Sequence, residues 1–174
     1  MDISNKGLEF IMAHEGCILH PYNDSVNFST VGVGHLINRR PVNEADKKLY
    51  ANFTKQDAIN LLHQDVSQFV KSVNALLIHP VSQNQFDAMV SLAFNVGIGN
   101  FSKSSVLRYT NAQKYTEASE AFMSWNKAGG AVVKGLTKRR GDEQALYLTK
   151  DVIQEVVITT SGGMVGTVQK DVAC

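Results

Sequence analysis

Apolar positions recur at helical spacing through most of this chain, and at strand spacing in one stretch near its start. Leu8, Ile11, Met12 and Glu15 stand at i, i+3, i+4 and i+7, so a carboxylate ends an otherwise apolar stripe. Ser4 reads as the N-cap of that helix and Gly16 as its stop. From Phe28 to His35 (FSTVGVGH) the period changes to two. Val31 and Val33 alternate with Thr30, Gly32 and Gly34, which predicts one short strand with Thr30 and both glycines on the same face. Residues 36–53 are polar, contain Pro41 and hold no sustained period; they read as the end of a small β-lobe and a loop.

Helical spacing then returns. Thr54 and Asp57 form a capping-box variant ahead of Ile59, Leu62, Val66, Phe69 and Val73, a long helix to about Leu76 that would connect two lobes. His79-Pro80 breaks the chain, and Ser82 with Gln85 caps a helix burying Phe86, Met89, Val90, Ala93 and Phe94. It stops between Asn95 and Gly99, where Gly97 and Gly99 permit a tight turn and a close backbone approach to a ligand. Two more amphipathic helices are predicted over 102–109 and 116–125, with Trp125 read as core rather than as a sugar-stacking surface. AGGAVVKG (128–135) is a glycine-rich loop, followed by a helix opening at Lys138, Arg139 and Arg140. The tail from Asp151 is β-branched, and a turn at Ser161–Gly163 allows Met164–Val168 to pair back as a hairpin.

Composition narrows the possibilities. With 174 residues, 44% hydrophobic and 19% charged, the chain suits a soluble domain with a real core. A net charge of +1 gives no polybasic attraction to nucleic acid, and the run 138–140 is too short for such a site. No apolar run approaches 18 residues and the start lacks a signal-peptide pattern, so neither stable membrane insertion nor signal-driven export is expected. Cys17 and Cys174 make no disulfide framework and are read as reduced thiols.

Candidate chemistry concentrates between residues 15 and 35. Glu15 is half sheltered at the mouth of the core, and shelter favours the protonated carboxyl that a general acid requires. Asp24 lies in the turn cluster PYNDS, where solvent and backbone N–H groups keep a carboxylate ionised. Thr30 presents a hydroxyl on a small polar face. One sheltered acid and one solvated carboxylate suit glycosidic-bond cleavage. Other chemistries fit less well. His14-Glu15 begins a zinc-peptidase motif, but position 18 is Ile18 where a histidine is required. His14, His20 and His35 show no regular ligand spacing, so no metal is expected, and 128–135 lacks the phosphate-loop pattern.

Glu-x8-Asp-x5-Thr, set in EG, PYxD and TVGxGH, resembles the phage-type lysozymes, the endolysin glycoside hydrolases. The likeness continues in AFNVGIGNF (93–101) and in Trp125 followed by GG, KGL and RR, and covers about residues 4–149. The resemblance implies an α+β, lysozyme-like two-lobed fold. Residues 1–150 would form the lysozyme domain, with a small lobe over about 16–53 and a helical lobe made of 54–150 plus the N-terminal helix; 151–174 would be an extension of unassigned role. It implies a muramidase that cleaves peptidoglycan between N-acetylmuramic acid and N-acetylglucosamine by inverting hydrolysis. Glu15, Asp24 and Thr30 would be catalytic, and Phe94, Asn95, Gly97 and His35 would contact the saccharide. One arginine of 138–140 would reach Glu15. No cofactor is implied. The enzyme would be a monomer held in the host cytoplasm until a holin-type pore releases it to the wall. The alternatives are a lytic transglycosylase and a non-catalytic peptidoglycan-binding protein.

Overall fold

The computed structural model describes residues 1–150 and, for the backbone only, two short strands in the tail. The first helix, α1 (Asn5–Glu15), starts where the Ser4 hydroxyl accepts the Gly7 N–H. It ends at Gly16, whose φ of 81° is a conformation glycine adopts freely. Leu8, Ile11 and Met12 are buried along it, so the apolar stripe faces the core and carries Glu15 to its rim.

Three antiparallel strands follow in the order β1 (Ile18–Asn23), β2 (Ser29–Gly32), β3 (His35–Asn38). The single strand predicted over 28–35 is therefore two. The chain turns at Val33 and Gly34, with Gly32 before the turn at φ 64° and Gly34 within it at φ 74°. Only the first half keeps the predicted alternation, and Gly34 belongs to the turn rather than to the Thr30 face. The physical reason is that two glycines spaced by one residue supply the positive φ of a hairpin turn as readily as they supply a bare strand face.

The loop expected over 36–53 also carries more structure. Besides β3 it contains α2 (Glu44–Leu49), opened by a reciprocal capping box between Asn43 and Asp46. Asp46 is buried and also accepts from Ser29 Oγ at 2.8 Å and from both Arg40 Nη atoms at 2.7 and 3.0 Å, so it fastens α2 to β2.

The long helix α3 (Lys55–Leu76) leads from this β-lobe into the helical lobe, with Ala58, Leu62, Val66, Val70 and Val73 buried. The helix most enclosed is α4 (Gln83–Val96), buried almost all round from Phe86 to Ala93. It packs against α1 and α3 and most extensively against α8 (Lys134–Leu148). Between them lie α5 (Ile98–Phe101), α6 (Ser105–Asn111), α7 (Tyr115–Ala121), a 3-10 turn Phe122–Trp125 and a two-residue hairpin, β4 (Lys127–Ala128) with β5 (Ala131–Val132). Gly97 has φ 85° and ends α4, whereas Gly99 sits inside α5 without positive φ, so the expected turn needs one glycine rather than two. The last helix begins at Lys134, four residues before the predicted basic run. In the tail, β6 (Val157–Thr159) pairs antiparallel with β7 (Val165–Thr167). The remaining tail residues, Cys174 among them, lie outside the described residues. Among the described residues no helix is long and apolar enough to cross a membrane.

Candidate active site

Glu15 closes α1, and its side chain keeps 31% of its exposure. Its Oε1 accepts a close, charge-assisted hydrogen bond from Nη1 of Arg139, which α8 brings in from far along the chain. Of the three basic residues at 138–140, Arg139 is the one that meets Glu15. Arg140 points instead into the interior, and Lys138 pairs with Asp142 at 2.6 Å on the surface.

Behind this pair is a buried polar cluster that sequence reasoning did not assemble. Glu143, fully buried, accepts at Oε1 from Arg139 Nε (3.1 Å), Arg140 Nη2 (2.9 Å) and Ser91 Oγ (2.7 Å). Its Oε2 lies 2.8 Å from Arg140 Nε, in charge contact without hydrogen-bond alignment. Burial pushes the Glu143 carboxyl up, opposed by Arg140, Ser91 and Arg139; burial likewise pulls Arg140 down, opposed by Glu143. With two guanidiniums touching one carboxyl group, the charged forms are mutually supported. The i, i+3 and i, i+4 spacing from Arg140 and Arg139 to Glu143 was visible in sequence, but it reads equally well as a solvated helix face.

Asp24 follows β1 in the turn to β2. Its Oδ1 accepts the N–H groups of Val26 (2.9 Å) and Phe28 (2.8 Å), which hold the carboxylate in place in the turn. Asn27, at φ 65°, lets the turn close, with its N–H on the Asp24 carbonyl at 3.0 Å. Phe28 links the second carboxylate to the hydroxyl. Its N–H and carbonyl engage Asp24, and the same carbonyl accepts from Thr30 Oγ1 at 3.1 Å. Thr30 is buried on β2, opposite Tyr22 of β1 and Leu36 of β3. Pairing of Ile18 with Gly32 brings the start of β1, two residues past Gly16, to the far end of the strand that carries Thr30. Burial, then Asp24, then Cys17 push the Tyr22 phenol up, so these three groups share one neighbourhood. Cys17 is a free, partly buried thiol that burial pushes up, with Lys55 opposing.

A groove of about 520 Å³ opens between the lobes, walled by Val33 to Leu36 on one side and by Gln64, Asp65, Ser67, Gln68 and Phe69 of α3 with Phe94 of α4 on the other. It includes two of the four expected saccharide contacts, His35 and Phe94. His35 Nδ1 also lies 2.9 and 3.0 Å from the two oxygens of Asp65, tying the β-lobe to the long helix. Asn95 is exposed and Gly97 caps α4; neither lines the groove. Glu15, Asp24 and Thr30 do not line it either, although β2, which carries Thr30, runs directly into its wall.

The histidines weighed as metal ligands have other surroundings. His14 lies 3.5 Å from Asp142 and stacks on Phe10, and burial, then Arg139, hold its imidazole below the usual range. His20 is exposed. Among the described residues no three His, Cys, Asp or Glu side chains cluster as a metal site. Trp125 is half-buried against the core, and its carbonyl lies 3.4 Å from Arg140 Nη1.

Comparison with known proteins finds similar chains. An endolysin of Bacillus phage B103 is 38% identical over 151 residues, covering 86% of this chain and 55% of its own length. The chain thus spans about half the length of that relative. The endolysin of Salmonella phage P22 is 36% identical over 152 residues, covering 86% of this chain and 99% of its own length. A solved structure of a P22 lysozyme variant superposes with a TM-score of 0.74 at 36% identity, covering 86% of this chain and 99% of that one. The family model for phage lysozyme matches residues 12–143, from the last turn of α1 to the buried Glu143, and the chain belongs to the phage lysozyme family.

Proposed function

We propose that this chain is a muramidase, hydrolysing the β-1,4 bond between N-acetylmuramic acid and N-acetylglucosamine in peptidoglycan. The observation that carries the reading is the difference between its two carboxyl groups. Glu15 stands at the exposed end of an apolar helix rather than sheltered, its side chain held by Arg139, while Asp24, partly buried, is held in a turn by two backbone N–H donors. Two carboxyls in contrasting environments are the usual basis for assigning acid and base in glycoside hydrolysis.

In this reading Glu15 protonates the leaving glycosidic oxygen. Asp24, using the oxygen not engaged by its turn, stabilises positive charge at the sugar carbon or takes a proton from the attacking water. Thr30 directs its own proton to the Phe28 carbonyl, so its remaining lone pairs accept a hydrogen of that water and orient it. Direct attack by water inverts the anomeric centre. Saccharide would lie along the inter-lobe groove with Phe94 and His35, and Asn95 and Gly97 would meet it at the end of α4. Residues 16–53 and 54–150 would serve as the two lobes around the cleft, and 151–174 as an extension. As a monomer in a phage lysis programme, the protein would wait in the host cytoplasm for holin-dependent release to the wall.

Digestion of purified peptidoglycan followed by mass spectrometry of the fragments tests this. Muramidase activity leaves reducing N-acetylmuramic ends. Anhydro ends would identify a transglycosylase, and binding without any released fragment a non-catalytic wall-binding protein.

A further inference from the structure

Arg139 poses a problem for the reading above. A general acid must carry a proton when substrate arrives, and in this reading Glu15 does so with a guanidinium in contact. The groups that face this pair come from every element around it. Helix α1 supplies Glu15 and His14; α8 supplies Lys138, Arg140, Asp142 and Glu143; α4 supplies the neutral Ser91, while its Asp87 engages Ser4 and Gln83 instead. The 3-10 turn supplies the Trp125 carbonyl. Lys138, Asp142 and His14 form an outer group in which one cation and one anion are already paired, at 2.6 Å. The inner group is Glu15, Arg139, Glu143 and Arg140.

Charge within that inner group is finely set. With Glu15 ionised, two cations face two anions; with Glu15 protonated, the net charge is +1. If position 143 were neutral, the same group with Glu15 protonated would carry +2, with both guanidiniums buried. Glu143 is the group that makes the difference, because its Oε1 touches Arg139 and Arg140 at once. The same oxygen holds Ser91 Oγ, whose hydroxyl and carbonyl oxygens each lie 3.4 Å from Arg139 Nη2. The guanidinium is thereby held through two of its three nitrogens, Nε and Nη2, with Nη1 directed at Glu15.

We propose that Glu143 is a positioning residue for the acid step, acting through Arg139: its buried carboxylate offsets the Arg139 charge and orients that guanidinium, so that Glu15 keeps its proton under working conditions. The inference rests on Glu15 being the acid. It concerns Glu143, which has no route to substrate of its own, since it is fully buried.

The test is the pH dependence of peptidoglycan hydrolysis by full-length wild type, Glu143→Gln, Glu143→Asp and Arg140→Gln, measured at 10 °C beside each protein's melting curve. Loss of the anion in Glu143→Gln moves the alkaline limb of the profile to lower pH by about one unit, the scale of removing one nearby like charge. Loss of a cation in Arg140→Gln moves it to higher pH, and Glu143→Asp, which keeps the charge, returns the limb toward wild type. If one of the two glutamine variants does not fold, the other carries the test alone. A limb that stays at the wild-type position in a folded Glu143→Gln or Arg140→Gln protein, whatever happens to kcat or Tm, overturns the proposal. A wild type that releases no fragments, or a Glu15→Gln variant as active as wild type, overturns the muramidase reading instead.

Discussion

Arg139 holds two carboxylates of very different exposure, and the two should differ sharply in what they contribute to stability. The Glu15 side chain is 31% exposed and Glu143 is 0% exposed, while Arg139 itself is 6% exposed. Replacing Glu15 with Gln leaves Arg139 its bond to Glu143, and solvent reaches the vacated side. An ion pair with one wet partner is worth about 0–1 kcal/mol. Replacing Glu143 with Gln instead leaves the buried Arg140 with no carboxylate and Arg139 with only the part-exposed Glu15, and breaking a buried pair costs about 3–5 kcal/mol. The amide retains an acceptor oxygen and the same shape, which argues for the lower end, about 3 kcal/mol. For a chain of this size each kcal/mol moves Tm by about 2–4 °C. Glu15→Gln is therefore expected within about 4 °C of wild type and Glu143→Gln about 6–12 °C below it. Thermal unfolding followed by circular dichroism, with urea midpoints as a check, measures both. Equal losses for the two variants, or a larger loss for Glu15→Gln, would refute the burial argument.

Three further predictions concern other parts of the molecule. Arg40, followed by Ser29 and the Asn43 backbone, holds the Asp46 carboxyl well below its ordinary value of 3.8. Its folded pKa is depressed, so the stability it contributes is present above about pH 4 and lost as pH falls below that. The difference in urea midpoint between wild type and Asp46→Asn should be constant from pH 5 to 7 and close on acidification; a difference that widens in acid would contradict it. Tyr147 is pushed from 10.0 up to about 12, chiefly by burial, with its hydroxyl 2.7 Å from Thr110 Oγ1. Its raised folded value means stability is intact below pH 10 and is lost between 10 and 12, so one of the five tyrosines should ionise last in an ultraviolet titration and unfolding should accompany it. At Gly7 a Cβ would lie 2.7 Å from Asp87 Cγ and 2.8 Å from Ile3 Cγ1, and both neighbours are buried. Gly7→Ala should cost about 1–3 kcal/mol by overpacking, read as a drop in Tm of several degrees.

How much of this was legible in the chain depends on whether the signal was local. The cap at Ser4, the capping boxes at Thr54 and Ser82 and the apolar stripe of α3 depend on residues within one or two turns, and the helices stand where those signals put them. Asp24 in its turn is equally local. The missed helix α2 had its own signal, since Asn43 and Asp46 have capping-box spacing, but six residues give too short a period to detect. Splitting of the Phe28–His35 stretch was ambiguous because glycine satisfies both the strand and the turn. Arg139 could be narrowed only to two adjacent arginines, because which of them faces Glu15 depends on the rotation of α8 against α4. The Ser91–Glu143–Arg140 cluster depends on that same packing. The hydropathy of α8 concealed it, since two arginines and a glutamate on the buried face look like an exposed one.

The central claim is that Glu15 delivers the proton, and the most direct measurement is the rate of reducing-end release from purified peptidoglycan by wild type and Glu15→Gln. Both proteins must first be matched for fold by circular dichroism and melting curve. Removing a positioned general acid should lower the rate by about two to four powers of ten, with melting nearly unchanged. A correctly folded Glu15→Gln protein that releases reducing ends at a rate near wild type would contradict the account.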